Sequence, residues 1–163
     1  MKVNEAVKES KEELRPWMPW AKNIPTVEES EVSIRRSRLQ FLERSDLRLL
    51  LFLKGTDELV GSSGLHRIDW QARKFEIGYW VRTSYAKQGY ITEGVEAISS
   101  FAINELQANR IEIRCDDRNE RSARVAERLG FNLEGTLRNE KCDVDGSLRN
   151  TMIFSRVRGV EFF

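Results

Sequence analysis

The chain has 163 residues, 40% of them hydrophobic and 33% charged. This suits one domain, 1–163, built around a real core. A formal net charge of +1 with both signs interspersed argues against nucleic-acid binding driven by bulk charge, and no stretch is apolar enough for a membrane helix.

The two cysteines, Cys115 and Cys142, form no CxxC pair and stand in no metal spacing with the single histidine, His66. No structural zinc is expected. Lone cysteines in a charged domain fit a reducing cytoplasm. "MKVNEAVKESKEEL" lacks the apolar segment of a signal peptide, so cytoplasmic residence is the default expectation.

In chain order, a short charged helix is expected over about Glu5 to Leu14. The Pro-rich stretch "RPWMPWAKNIP" separates it from a second helix. Thr26 and Glu29 have capping-box spacing and open that helix, which runs to about Arg44 with Val27, Ile34, Phe41 and Leu42 facing inward. Three antiparallel strands follow. "LRLLLFLK" and "LVGSSGLHRIDW" form a hairpin around "GTDE". "ARK" turns the chain into "FEIGYWV", where Phe75, Ile77, Tyr79 and Val81 alternate onto one face.

Thr92 to Asn109 has Val95, Ile98, Ala102 and Leu106 at helical spacing. In the strand "RIEIRC", Ile111, Ile113 and Cys115 share a face. "NERSARVAERLGF" is a helix with Asn119 as N-cap and Gly130 at its end. Two last strands, "NLEGTLR" and "LRNTMIFSRV", flank the turn "DVDG". The order α-α-β-β-β-α-β-α-β-β defines an α+β (α/β) domain with a mixed, mostly antiparallel twisted sheet flanked by helices.

The loop "YAKQGYITEG" lies between a strand and a long helix. One reading is an ordinary turn with a glycine. The other is an anion cradle, because a helix N-terminus offers free N–H groups and partial positive charge. The N–H groups of about Lys87, Gln88, Gly89, Tyr90, Ile91 and Thr92 would then hold a diphosphate. It is neither a P-loop nor a GxGxxG fingerprint.

The run "FEIGYWVRTSYAKQGYITEGVEAISSFAINEL", with "NRIEIRCDDRNERSARVAERLGFNLEGTLR" after it, resembles the GNAT superfamily of acetyl-CoA-dependent N-acetyltransferases, and within it the RimJ/RimL type. "LRPWMPWA" and "GLHRIDW" are similar to that type's Trp-rich segment and one of its central strands. The resemblance implies the acyl-CoA N-acyltransferase fold and direct acetyl transfer to a primary amine. The implied acceptor is a ribosomal or other protein N-terminus. A small amine (polyamine, amino acid, antibiotic) and a weakly catalytic acyl-CoA-binding module are the alternatives. The family usually opens with a β-strand, and here Met1 stands almost at the first helix. The first strand is therefore expected to be missing, with its edge exposed or completed by a partner chain, as in a homodimer.

The resemblance also implies site residues. "AKQGYI" is the pyrophosphate loop, with Gly89 as its glycine, Ala86 in place of Gln or Arg, and Ile91 in place of Gly or Ala. Main-chain groups of Tyr79, Trp80 and Val81 would pair with the pantetheine arm. Asn119 would bond a pantetheine amide, cap its helix, or do both. Ser122 is either the acid that protonates the leaving thiolate or a simple capping serine. Glu140 is the candidate base, one residue from the aligned place, which Lys141 occupies. His66 and Asp69 are alternatives beside the acceptor cleft. Trp17, Met18 and Trp20 either cap the core or wall the acceptor groove.

Overall fold

The computed structural model describes residues 2–143 and 145–163. Met1, and Val144 of the expected "DVDG" turn, lie outside the described residues. The helices are α1 (Lys2–Glu9), α2 (Lys11–Leu14), α3 (Val27–Leu42), α4 (Tyr90–Asn104) and α5 (Glu120–Arg128). The strands are β1 (Leu47–Phe52), β2 (Leu59–Asp69), β3 (Lys74–Val81), β4 (Arg110–Asp116), β5 (Asn132–Cys142) and β6 (Leu148–Val157). They form one sheet in the order β1-β2-β3-β4-β6-β5, in which only the β3–β4 pair is parallel. β1 is an edge strand, paired with β2 alone.

Strand alternation sorts the side chains between two layers. Phe75 and Ile77 of β3, with Ile111, Ile113 and Cys115 of β4, face α4 and α5. They meet Val95, Ile98, Ala102 and Ala126 in the main core. The opposite face of β2 and β3 carries Leu59 and Trp80 against Val3, Val7 and Leu14 of the N-terminal helices. The "FEIGYWV" strand is therefore buried on both sides.

α3 differs from the sequence-based expectation. Its Thr26–Glu29 capping box forms, with both reciprocal bonds present. The inward face, however, is Ser30 and Ile34, whereas Val27, Phe41 and Leu42 are exposed. Capping fixes where the helix starts but not how it is rotated. The rotation is set by Asn4 of α1, only 1% exposed, whose Nδ2 donates to Pro25 O (2.6 Å), Thr26 O (3.2 Å) and Ser30 Oγ (3.0 Å). Burying that amide demands polar partners, so the serine face turns inward and the apolar residues at the helix ends turn out.

Removing those bonds leaves the buried Ser30 hydroxyl and two part-buried carbonyls without the amide. Asn4→Ala is expected to lower unfolding free energy by about 1–3 kcal/mol, measured by urea denaturation. An unchanged midpoint would contradict this role.

Candidate active site

β3 and β4 pair through only three residues each: Lys74 with Arg110, Phe75 with Ile111, and Glu76 with Glu112. β3 continues to Val81 against β2, and β4 continues to Asp116 against β6. Beyond Glu76 the two parallel strands share no ladder. A wedge opens in the middle of the sheet, and the edge of β3 from Ile77 to Val81 has no strand partner on that side. Backbone polar groups left this way bind whatever extended ligand reaches them. Tyr79, Trp80 and Val81 all lie on this stretch.

The wedge leads to the loop before α4. A 3-10 turn over Thr83–Tyr85 is followed by Lys87 at φ 62° and Gly89 at φ 87°. Left-handed residues in a turn gather successive N–H groups into an anion-binding concavity. The first helical bond of α4 runs from Glu93 N to Gly89 O. Among the described residues, no protein acceptor takes the N–H groups of residues 87–92. Gly89 is needed for its φ, not for space, since a Cβ there would meet nothing within 4 Å. The Ile91 side chain packs against the main core, so it points away from the cradle. The Ala86 N–H closes the 3-10 turn, donating to Thr83 O at 3.0 Å, and is not one of the free N–H groups.

The N-terminal helices hold this loop. Glu9 accepts from Arg82 Nε (2.6 Å) and Ser84 N (2.9 Å), and Ser10 Oγ accepts from Thr83 N (2.9 Å). Burial alone would raise the Glu9 pKa. The bonds from Ser84 and Arg82 outweigh it and hold the carboxylate below its ordinary value.

α5 closes the other side of the wedge. Asn119 caps it, its Oδ1 accepting from Ser122 N at 3.2 Å. The Tyr79 hydroxyl donates to Ser122 O and lies 2.9 Å from Ser122 Oγ. Thus β3 and α5 bring together Tyr79 and Ser122, with the buried Cys115 beside them. Burial raises the Tyr79 phenol above its ordinary value, and it pushes the Cys115 thiol up to about 11. A thiol held protonated is a poor nucleophile, and the Ser122 and Tyr79 hydroxyls beside it are hydrogen-bonded to each other.

On the opposite face of the sheet lies a cleft of about 700 Å³. Val3 and Val7 of α1, Met18, Trp20 and Ile34 of α3 form its walls, and His66, Glu76, Gly78 and Trp80 line its strand side. Trp20 and Trp80 lie 6.1 Å apart at 60°. Trp20 and Met18 therefore wall the cleft, whereas Trp17 is outside its lining. Asp69 is exposed and caps the β2–β3 turn, accepting from Ala72 N at 2.9 Å.

Glu140 sits on β5, where four residue steps from Leu137 to Lys141 oppose two on β6 from Thr151 to Arg149. Asn139, at φ 53°, lies within this irregularity. The Glu140 carboxylate meets Arg114 (2.9 Å) and Thr151 Oγ1 (2.8 Å) and is outside the cleft lining. Burial raises its pKa, but the Thr151 bond and the charges of Lys141, Arg114 and Arg67 outweigh this and hold it below the ordinary value. Lys141 is lowered by burial and by Arg67 and Arg114, against Glu140 and Glu76.

Two carboxylates near the cleft are absent from the sequence reading. Glu76 lines it and pairs with Arg67 at 3.1 Å. Its signal was an acid on the face of "FEIGYWV" opposite the apolar residues. Asp46 bonds His66. It lies twenty residues away from its partner, so no local pattern marks it.

The acetyltransferase (GNAT) domain family profile matches residues 4–132. Ribosomal-protein-serine acetyltransferase of Escherichia coli (strain K12) is 30% identical over 127 residues, 76% of this chain and 70% of that protein. YdaF of Bacillus subtilis (strain 168), a protein named for ribosomal N-acetylation, is 31% identical over 138 residues, 84% of this chain and 74% of that one. RimL, the ribosomal L7/L12 α-N-protein acetyltransferase solved with coenzyme A, superposes with a TM-score of 0.88 at 22% identity, covering 95% of this chain and 86% of that one. The chain belongs to the GNAT family. It has the GNAT fold and is an acetyl-CoA-dependent N-acetyltransferase of the RimL-like group. Among the described residues, no helix is long and apolar enough to cross a membrane.

The cradle generates a direct test. Gly89→Ala places a side chain at positive φ, which costs about 1–2 kcal/mol. It should weaken acetyl-CoA binding about tenfold in isothermal titration. Unchanged affinity would show that the left-handed geometry is not needed.

Proposed function

We propose that the chain acetylates the α-amine of a protein N-terminus, of the ribosomal-protein type, by direct attack of the amine on the thioester. The carrying observation is the charge state of the cleft. Both carboxylates lining it are already engaged, Glu76 by Arg67 and Glu29 by Thr26 N at 2.8 Å. A polyamine needs several free carboxylates to match its ammonium groups. A peptide N-terminus brings one amine and apolar surface, which suit Met18, Trp20 and Trp80. The naming of the relatives for ribosomal acceptors supports the same reading.

In this reading acetyl-CoA supplies the activated acyl group. The N–H groups of residues 87–92 hold its diphosphate, and the free edge of Tyr79, Trp80 and Val81 orders its pantetheine arm. The Asn119 side-chain N–H bonds a pantetheine amide. A β3 backbone N–H in the wedge stabilises the developing oxyanion. Ser122, bonded to Tyr79, donates a proton to the departing thiolate.

Thiol release measured with a panel of N-terminal peptides, free amino acids and polyamines tests the acceptor. Turnover is expected with peptides and not with spermidine. The reverse pattern would move the assignment to a small amine. Ser122→Ala should lower kcat by about 10²-fold or more while leaving KM for acetyl-CoA nearly unchanged. An unaltered kcat would remove Ser122 as the acid.

A further inference from the structure

We propose that His66 is the general base of the transfer and that Asp46 is the positioning residue that holds it in the productive tautomer. The inference rests on the reading of the cleft as the amine site. His66 Nδ1 lies 2.7 Å from Asp46 Oδ2. A carboxylate accepts and does not donate, so in the neutral ring the proton resides on Nδ1 and Nε2 keeps its lone pair. The His66 side chain is 29% exposed and lines the cleft.

Nε2 is aimed by two glycines. A Cβ on Gly78 would stand 3.0 Å from His66 Cδ2 and 3.3 Å from Nε2, and one on Gly64 would stand 3.2 Å from Cε1. The imidazole thus lies against bare backbone of β2 and β3, where any side chain would crowd it. Gly78 is two residues past Glu76, the last β3 residue paired with β4. Nε2 therefore lies against the β3 stretch that borders the wedge, along which the proposed function lays the pantetheine arm.

The protons balance. An ammonium acceptor gives one proton to Nε2, and the imidazolium passes it to solvent. The amine lone pair then forms the C–N bond, the C–S bond breaks, and the second amine proton reaches the thiolate sulfur through Ser122. Several charges face the ring. Asp46 bonds it directly, and Glu29, Arg48, Arg67 and Glu76 are the other charged side chains lining the same cleft. As a base His66 must be neutral, so the rate is expected to rise as pH is raised from acid.

Because the chain has one histidine, nitrogen NMR of the imidazole reads the site directly and without turnover. The neutral ring is expected to be protonated at Nδ1, and Asp46→Asn should abolish that preference. A neutral ring protonated at Nε2 would overturn the proposal. In thiol-release kinetics with a peptide acceptor, His66→Gln should lower kcat/KM about 10²–10⁴-fold near neutral pH. That deficit should close as pH is raised and solvent deprotonates the amine. A deficit independent of pH, or none, would contradict the base role. Wild-type protein that turns over no peptide, yet shows the Nδ1 tautomer, would overturn the acceptor assignment and leave the dyad standing.

Discussion

The divergence of β3 from β4 is the constraint on which the site depends. Three paired residues join them at one end, and each strand then stays with its antiparallel neighbour. A closed sheet would satisfy its backbone groups internally and leave no edge for a ligand. Here the unpaired edge lies inside the sheet, between the loop before α4 and the start of α5. The N–H cradle at the start of α4 is at one end. The Ser122–Tyr79 hydroxyl pair spans the gap. The cleft with His66 faces the same strand from the other side.

An open wedge needs bracing, and the N-terminal helices supply much of it. Glu9 and Ser10 fix the segment 82–84 that leads into the cradle. Asn4 fixes the rotation of α3, and α1 and α3 together supply walls of the cleft. The loop before α4 and the cleft thus share one support, so damage to α1 is felt at both.

Much of this was legible in the sequence, because period-2 and period-3.6 patterns report burial directly. "FEIGYWV" alternated as read, with Phe75 and Ile77 in the core. Asn119 caps α5, and Gly130 follows its end at φ 70°. The glycine loop before α4 has the left-handed geometry that an anion cradle requires. The inward face of α3 was not legible. Its apolar residues lie outward because a buried asparagine on another helix selects the serine face. Glu140 was obscured for a different reason. Strand alternation predicts a face only while the ladder is regular, and β5 carries extra residues just before it. The Asp46–His66 pair joins the residue before β1 to β2 by tertiary contact alone.

Hydrogen–deuterium exchange with and without acetyl-CoA tests the central claim, that one ligand spans the wedge and the cradle. Slowed exchange is predicted for the backbone amides of residues 77–81 and 87–92 together, with β1 and the β5–β6 hairpin unchanged. Protection confined to the cradle, or absent from both segments, would contradict it.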